Sequence, residues 1–204
     1  MAEIARRALE GTLPTASPGA GFDEGPVVAD VCVEGDLGFV LILHRRDDGH
    51  LADEIYHSLR DPDGGPGNEW PDCDHLGGGA FMWGFDPMDP PADEESFTTR
   101  APAISTDSES LIYTGRDSGD EGYELVRVVE LLVPTEADSL GVRTRGGAAP
   151  RHRPLSSRLA LVVLLPGDRV RVRAARSTET GYTPVGEAIE LTHPEHPAQA
   201  PDWL

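Results

Sequence analysis

The sequence contains no lysine: all seventeen basic residues are arginine. That removes every chemistry built on an ε-amine, from Schiff bases to lysine general bases and the phosphate-binding lysine of P-loops. The accompanying surplus of Arg, Ala, Gly, Pro and Asp is the bias of a GC-rich, bacterial type of genome, so this absence assigns no function by itself. Cysteine is nearly missing as well. Cys32 and Cys73 are too few for a disulfide framework and are expected as reduced thiols. Cys32, between Val31 and Val33, reads as a small core residue.

No stretch reaches the roughly 18 apolar residues of a membrane helix. The first ten residues carry charges where a signal peptide would have its apolar run. The expectation is a cytoplasmic protein. The motifs Gly-x-Ser-x-Gly, His-Glu-x-x-His and Gly-x-Gly-x-x-Gly are also absent, which leaves enzymatic activity open and leans against it.

What the chain does have is 23 Gly and 18 Pro among short apolar runs. Frequent breakers between short runs suit a β fold. Residues 2–10 read as a short helix with Ile4, Ala5, Ala8 and Leu9 on one face, followed by a linker to about Gly25. Val27–Glu34 alternates, Gly35-Asp36 turns the chain, and Leu37–His44 is apolar throughout, which together predict a hairpin whose second strand is buried on both faces. Leu51, Ile55 and Leu59 fit helical spacing, with Asp48 as an N-cap, so 51–59 is expected to be helical. Residues 60–100 read mostly as loop, apart from a short aromatic strand in 77–85, and 111–114 as a short strand.

The second half is clearer. Strands are expected over 123–133, 139–144, 158–165, 168–175 and 187–192. Pro166-Gly167 suits a type II turn, and Arg169, Arg171 and Arg173 alternate with Val170 and Val172, so one face is wet and the other buried. The predicted fold is mainly β, an antiparallel β-sandwich with the second half immunoglobulin-like in layout, a short N-terminal helix and long acidic loops. The predicted organisation is a helix and linker over 1–25, a sandwich over 26–192 divisible near 122, and an extended tail over 193–204.

Charge is distributed unevenly. Residues 23–122 hold 24 acids against 5 Arg, while the remaining segments are neutral, so the whole net charge of −19 lies there. Residues 143–176 hold nine Arg and one acid, Asp168. The expected arrangement is that the two halves pack together and the guanidinium forks pair with carboxylates across the fold. The sharper alternative is two separate recognition surfaces. A charge this negative repels nucleic acid and anionic membranes at long range, leaving nucleic acid only a local foothold on the Arg stretch.

Several clusters bear chemistry. Asp61, Asp63, Glu69 and Asp72 resemble a calcium loop by oxygen count, but Pro66 stands where an EF-hand needs glycine. Cys73 and His75, with His193 and His196, offer zinc ligands at a poor Cys-x-His spacing. Acidic turns and unrelated exposed loops explain the same letters, and no cofactor is expected. His44, His50 and His57 beside Asp47, Asp48, Asp53 and Glu54 are raw material for acid–base work. Gly77-Gly78-Gly79 before Phe81, Trp83 and Phe85 reads as a buried aromatic strand sooner than as a ligand cleft.

The leading functional expectation is a non-catalytic module of the immunity, inhibitor or accessory-subunit kind, binding a basic protein. Its recognition residues are expected among Asp47, Asp48, Asp53, Glu54, Asp93, Glu94, Glu95, Asp117, Asp120 and Glu121. The alternatives are a hydrolase or metal-dependent enzyme using 44–75, and a structural subunit of a larger assembly.

Overall fold

The computed structural model describes residues 1–13, 25–65, 69–81, 101–116, 121–147 and 149–195. One helix, α1 (Ala2–Leu9), precedes eleven strands: β1 (Val27–Glu34), β2 (Leu37–Arg45), β3 (Leu51–Leu59), β4 (Asp74–Ala80), β5 (Ala103–Tyr113), β6 (Tyr123–Leu132), β7 (Ser139–Thr144), β8 (Arg151–Pro154), β9 (Leu159–Leu164), β10 (Arg169–Thr178) and β11 (Gly181–Thr192). They form three antiparallel sheets, ordered β1-β2-β3-β4, β5-β6-β9 and β11-β10-β7-β8.

The β5-β6-β9 sheet is the middle layer, and period-2 alternation makes it so. Val126, Val128, Leu159, Leu161 and Val163 point to the N-terminal sheet and meet Phe39, Leu41, Leu43 and Ile55. Val129, Leu131, Ala160, Val162 and Leu164 point the other way, onto Leu140, Val170, Val172 and Leu191 of the C-terminal sheet. The helix docks on the remaining face of the first sheet, where Ala5 and Ala8 pack over Val28, Val40, Ile42 and Tyr56. Strand β2 therefore has cover on both sides, and Leu37 to Leu43 are all buried, as its uninterrupted apolar run predicts.

Three local expectations change. Residues 51–59 form strand β3, not a helix, pairing with β2 from Leu37↔Leu59 to Arg45↔Leu51. Within 60–100 a regular strand, β4, runs alongside β3, and its glycines serve that pairing: a Cβ on Gly78 would stand 2.2 Å from the Asp53 carbonyl oxygen. The close approach that Gly78 permits is to a neighbouring backbone. Strand β5 is eleven residues long, far beyond the four read from sequence.

The Pro166-Gly167 turn forms as expected, with Gly167 at φ 88 and the Asp168 N–H donating to the Leu165 carbonyl at 2.9 Å. It does not close a hairpin. Strand β9 stays in the middle sheet and β10 enters the C-terminal one, so the turn carries the chain between layers. No helix among the described residues is long and apolar enough to cross a membrane.

Candidate functional site

The described acidic positions occupy unlike settings. Asp47 and Asp48 lie on the exposed β2–β3 turn, where Arg46 pairs with Asp48 at 3.0 Å. Asp53 is buried. Glu54 is engaged by His44 Nε2 at 3.1 Å and by the Tyr56 hydroxyl, which donates to it at 2.7 Å. Glu121 sits in a turn at φ 51. Asp93, Glu94, Glu95, Asp117 and Asp120 lie outside the described residues, as do Pro66, Trp83, Phe85 and His196.

The metal candidates are similarly dispersed. Asp61 Oδ1 accepts the Asp63 N–H at 2.9 Å within its own turn, and Glu69 is held by Arg60. Burial pushes the Cys73 thiol up to about 11 and that of Cys32 to about 12, away from the thiolate that binds metal or attacks carbon. His75 leaves Cys73 and stacks edge-on against Tyr56, ring centroids 5.3 Å apart. Among the described residues no group of three or more His, Cys, Asp or Glu side chains is arranged to hold a metal ion.

Of the three histidines in 44–57, His44 lines a shallow depression together with Asp53, Glu54 and His75. His57 points toward the core, stacks on Phe39 at 6.2 Å and has its Nδ1 buried without a partner. Burial pulls its pKa down, against a smaller upward pull from Asp74. Behind Asp53 lies a second buried group. Glu130 of the middle sheet faces it with both carboxyl oxygens buried and Asp53 as their polar neighbour. Burial first, and the Asp53 carboxyl second, push Glu130 up to about 8.

Among the described residues, the expected pairing of the Arg stretch with the acidic half is limited. Within 143–176, Arg153 alone forms an ion pair with a described carboxylate of 23–122, namely Asp30. Arg169 pairs with Glu190 of its own sheet, and Arg158, Arg173 and Arg176 donate to the carbonyls of Val133, Gly186 and Glu136. Arg143, Arg145 and Arg171 form no ion pair with a described residue.

These side chains share the outer face of the C-terminal sheet because of its register. Arg171 of β10 stands directly opposite Arg143 of β7, and directly opposite Glu190 of β11 on its other side. The Glu190 carboxylate, however, swings to Arg169 at 2.8 Å, and Arg169 holds its pKa below the ordinary range. Two like charges therefore face each other across neighbouring strands, which is a destabilising arrangement.

Arg143 and Arg171 line two adjoining cavities at once. One, of about 300 Å³, is completed by Arg145, the Gly146-Gly147 turn and the Arg169–Glu190 ion pair. The other, of about 290 Å³, is completed by Arg173, Gly141, His152 and Tyr182. In the second, Gly141 lies opposite Arg173 on one side and His152 on the other. A Cβ on Gly141 would be 2.9 Å from the imidazole, so the missing side chain is what lets His152 lie flat there. Tyr182, from the end of β11, covers that ring face to face, centroids 3.8 Å apart and planes within 3°.

Sequence reading found the Arg stretch as composition. It missed Tyr182 and His152, which are thirty residues apart and carry no joint signal. No family model, no curated protein and no solved structure matches the chain, so its function rests on its own residues.

Proposed function

We propose that the chain is a non-catalytic binding module that recognises an anionic ligand on the outer face of the β11-β10-β7-β8 sheet. The observation that carries this reading is the Arg143–Arg171 pair: two guanidiniums in direct cross-strand register at the junction of two cavities, neither in an ion pair with a described residue, since the Glu190 carboxylate opposite Arg171 is taken by Arg169. A bound carboxylate or phosphate converts their repulsion into two charge-assisted, fork-like contacts. Strand order supports the finer architectural reading too. Three strands, β5-β6-β9, facing four, β11-β10-β7-β8, is the layout of an immunoglobulin-like sandwich, with β1–β4 and the helix as an added layer. The two unpaired thiols suit a cytoplasmic setting.

Titration calorimetry with inorganic pyrophosphate at low salt tests it. Binding that weakens steeply with salt, and falls at least tenfold in an R143A/R171A double variant, is the expected result. Absence of heat with the native protein removes the reading.

A second reading, an acidic module for a basic protein, is favoured by one observation: among the described carboxylates of 23–122, Asp30 is the one in an ion pair with an arginine of 143–176. A partner captured at low salt and released at high salt, with capture unaffected by R143A/R171A, supports this reading over the first.

A further inference from the structure

The groove has two unlike ends, and the difference between them identifies a ligand more closely than charge does. We infer that it binds a nucleoside polyphosphate, with the phosphates on Arg143 and Arg171 and the base against Tyr182. This rests on the anion-binding reading above and specifies what sits beside the anion.

The basic end offers guanidiniums from two strands. Arg169, Arg171 and Arg173 alternate along one face of β10, so each neighbouring pair is spaced about 7 Å apart, with Arg143 across from the middle one. Arg169 is held by Glu190, so the row presents Arg171, Arg173 and Arg143, which suit two or more linked anionic groups better than a single one. The other end offers a flat surface. The Tyr182 ring is backed by the His152 ring, which is backed in turn by the Gly141 backbone, so it is supported from behind. Tyr182 nonetheless remains 50% exposed. A planar base stacking on it removes apolar ring surface from water without requiring a specific hydrogen-bond pattern.

Size and charge decide between a single nucleotide and a nucleic-acid strand. The two cavities, near 290 and 300 Å³, together suit a small ligand. A net charge of −19 opposes the long-range approach of a polyanionic strand, which also needs a continuous basic track. A triphosphate brings few charges and needs only the local row of arginines.

The test compares ATP with inorganic tripolyphosphate by calorimetry at one fixed low salt concentration. ATP is expected to bind about tenfold tighter, the margin of one stacked base. Y182L should weaken ATP more than tripolyphosphate and so close that margin, and R171A should weaken both ligands together. Because either variant could perturb the sheet, the native protein supplies an independent readout: the fluorescence of ethenoadenosine triphosphate should be quenched on binding. Equal affinity for ATP and tripolyphosphate, with no quenching, overturns this inference and leaves the anion-binding reading standing. Failure of both ligands to bind removes the two together. An oligothymidylate binding more tightly than ATP also overturns it.

Discussion

Asp30 and Arg153, 123 residues apart, together replace a missing strand neighbour. On the edge of β9 away from β6, the buried Leu161 N–H donates to Asp30 Oδ2 at 2.6 Å while its carbonyl accepts from the Arg153 guanidinium. Asp30 reaches this position because β1 bulges between Val28 and Asp30. The pair thus ties the first sheet to the middle one and links the acidic and Arg-rich halves. Removing one partner strands a buried charge and an unpaired backbone group, which costs about 3–5 kcal/mol. Urea denaturation of D30A should show a loss of that size. A D30A/R153M double variant should recover part of it, and full additivity of the two changes would show that the pair is not a unit.

The Glu130–Asp53 contact makes stability depend on pH. The folded-state pKa of Glu130 lies above its ordinary value, so the folded protein keeps a proton that the unfolded chain releases above the usual carboxylate range. Its stabilising contribution is whole in acid and is lost as pH rises toward about 8. E130Q cannot ionise there. The stability difference between E130Q and the native protein should grow in favour of E130Q by a few kcal/mol between pH 5 and about 8, measured by denaturant melts at several pH values. A difference that stays flat across this range overturns the account.

Gly78 is where β4 lies closest to β3. The atom a methyl group would strike is the Asp53 carbonyl oxygen, part of the backbone, so no side-chain rotation relieves it. G78A should cost about 1–3 kcal/mol and speed amide exchange selectively in β4. Gly77, with nothing within 4 Å of its Cβ position, serves as the control, and G77A should be nearly silent.

Arg171 is expected to cost stability while it serves binding. Substituting R171Q removes the like charge opposite Arg143, and because the Glu190 carboxylate on its other side is already paired with Arg169, it should raise stability by a few tenths of a kcal/mol at low salt. Melting temperatures should converge with the native protein near 1 M salt, where charges more than about 3 Å apart are screened. A variant that is less stable at low salt would mean that Arg171 has a structural partner.

Which strands could be read from sequence followed from which side chains are buried. Strand β10 shows clear alternation because Val170 and Val172 enter the core while the arginines stay wet. Strand β3 misled because Leu51, Ile55 and Leu59 are four apart, a spacing shared by a helix face and a strand face. The position that separates the two, residue 53, is a buried Asp. Strand β5 is an edge strand with mostly exposed Ser, Thr, Asp and Glu side chains, so no burial marks it.

The sequence by itself determined the β class, the β1–β2 hairpin, the Pro166-Gly167 turn and the segregation of acidic from basic residues, because each depends on neighbours within about ten positions. Tertiary structure alone decided that β9 and β10 part into different sheets, that Asp30 reaches Arg153, and that Arg143 faces Arg171 beneath a Tyr182–His152 stack. Turn chemistry is local, whereas strand partnership and register are settled by which buried faces fit together across the whole chain.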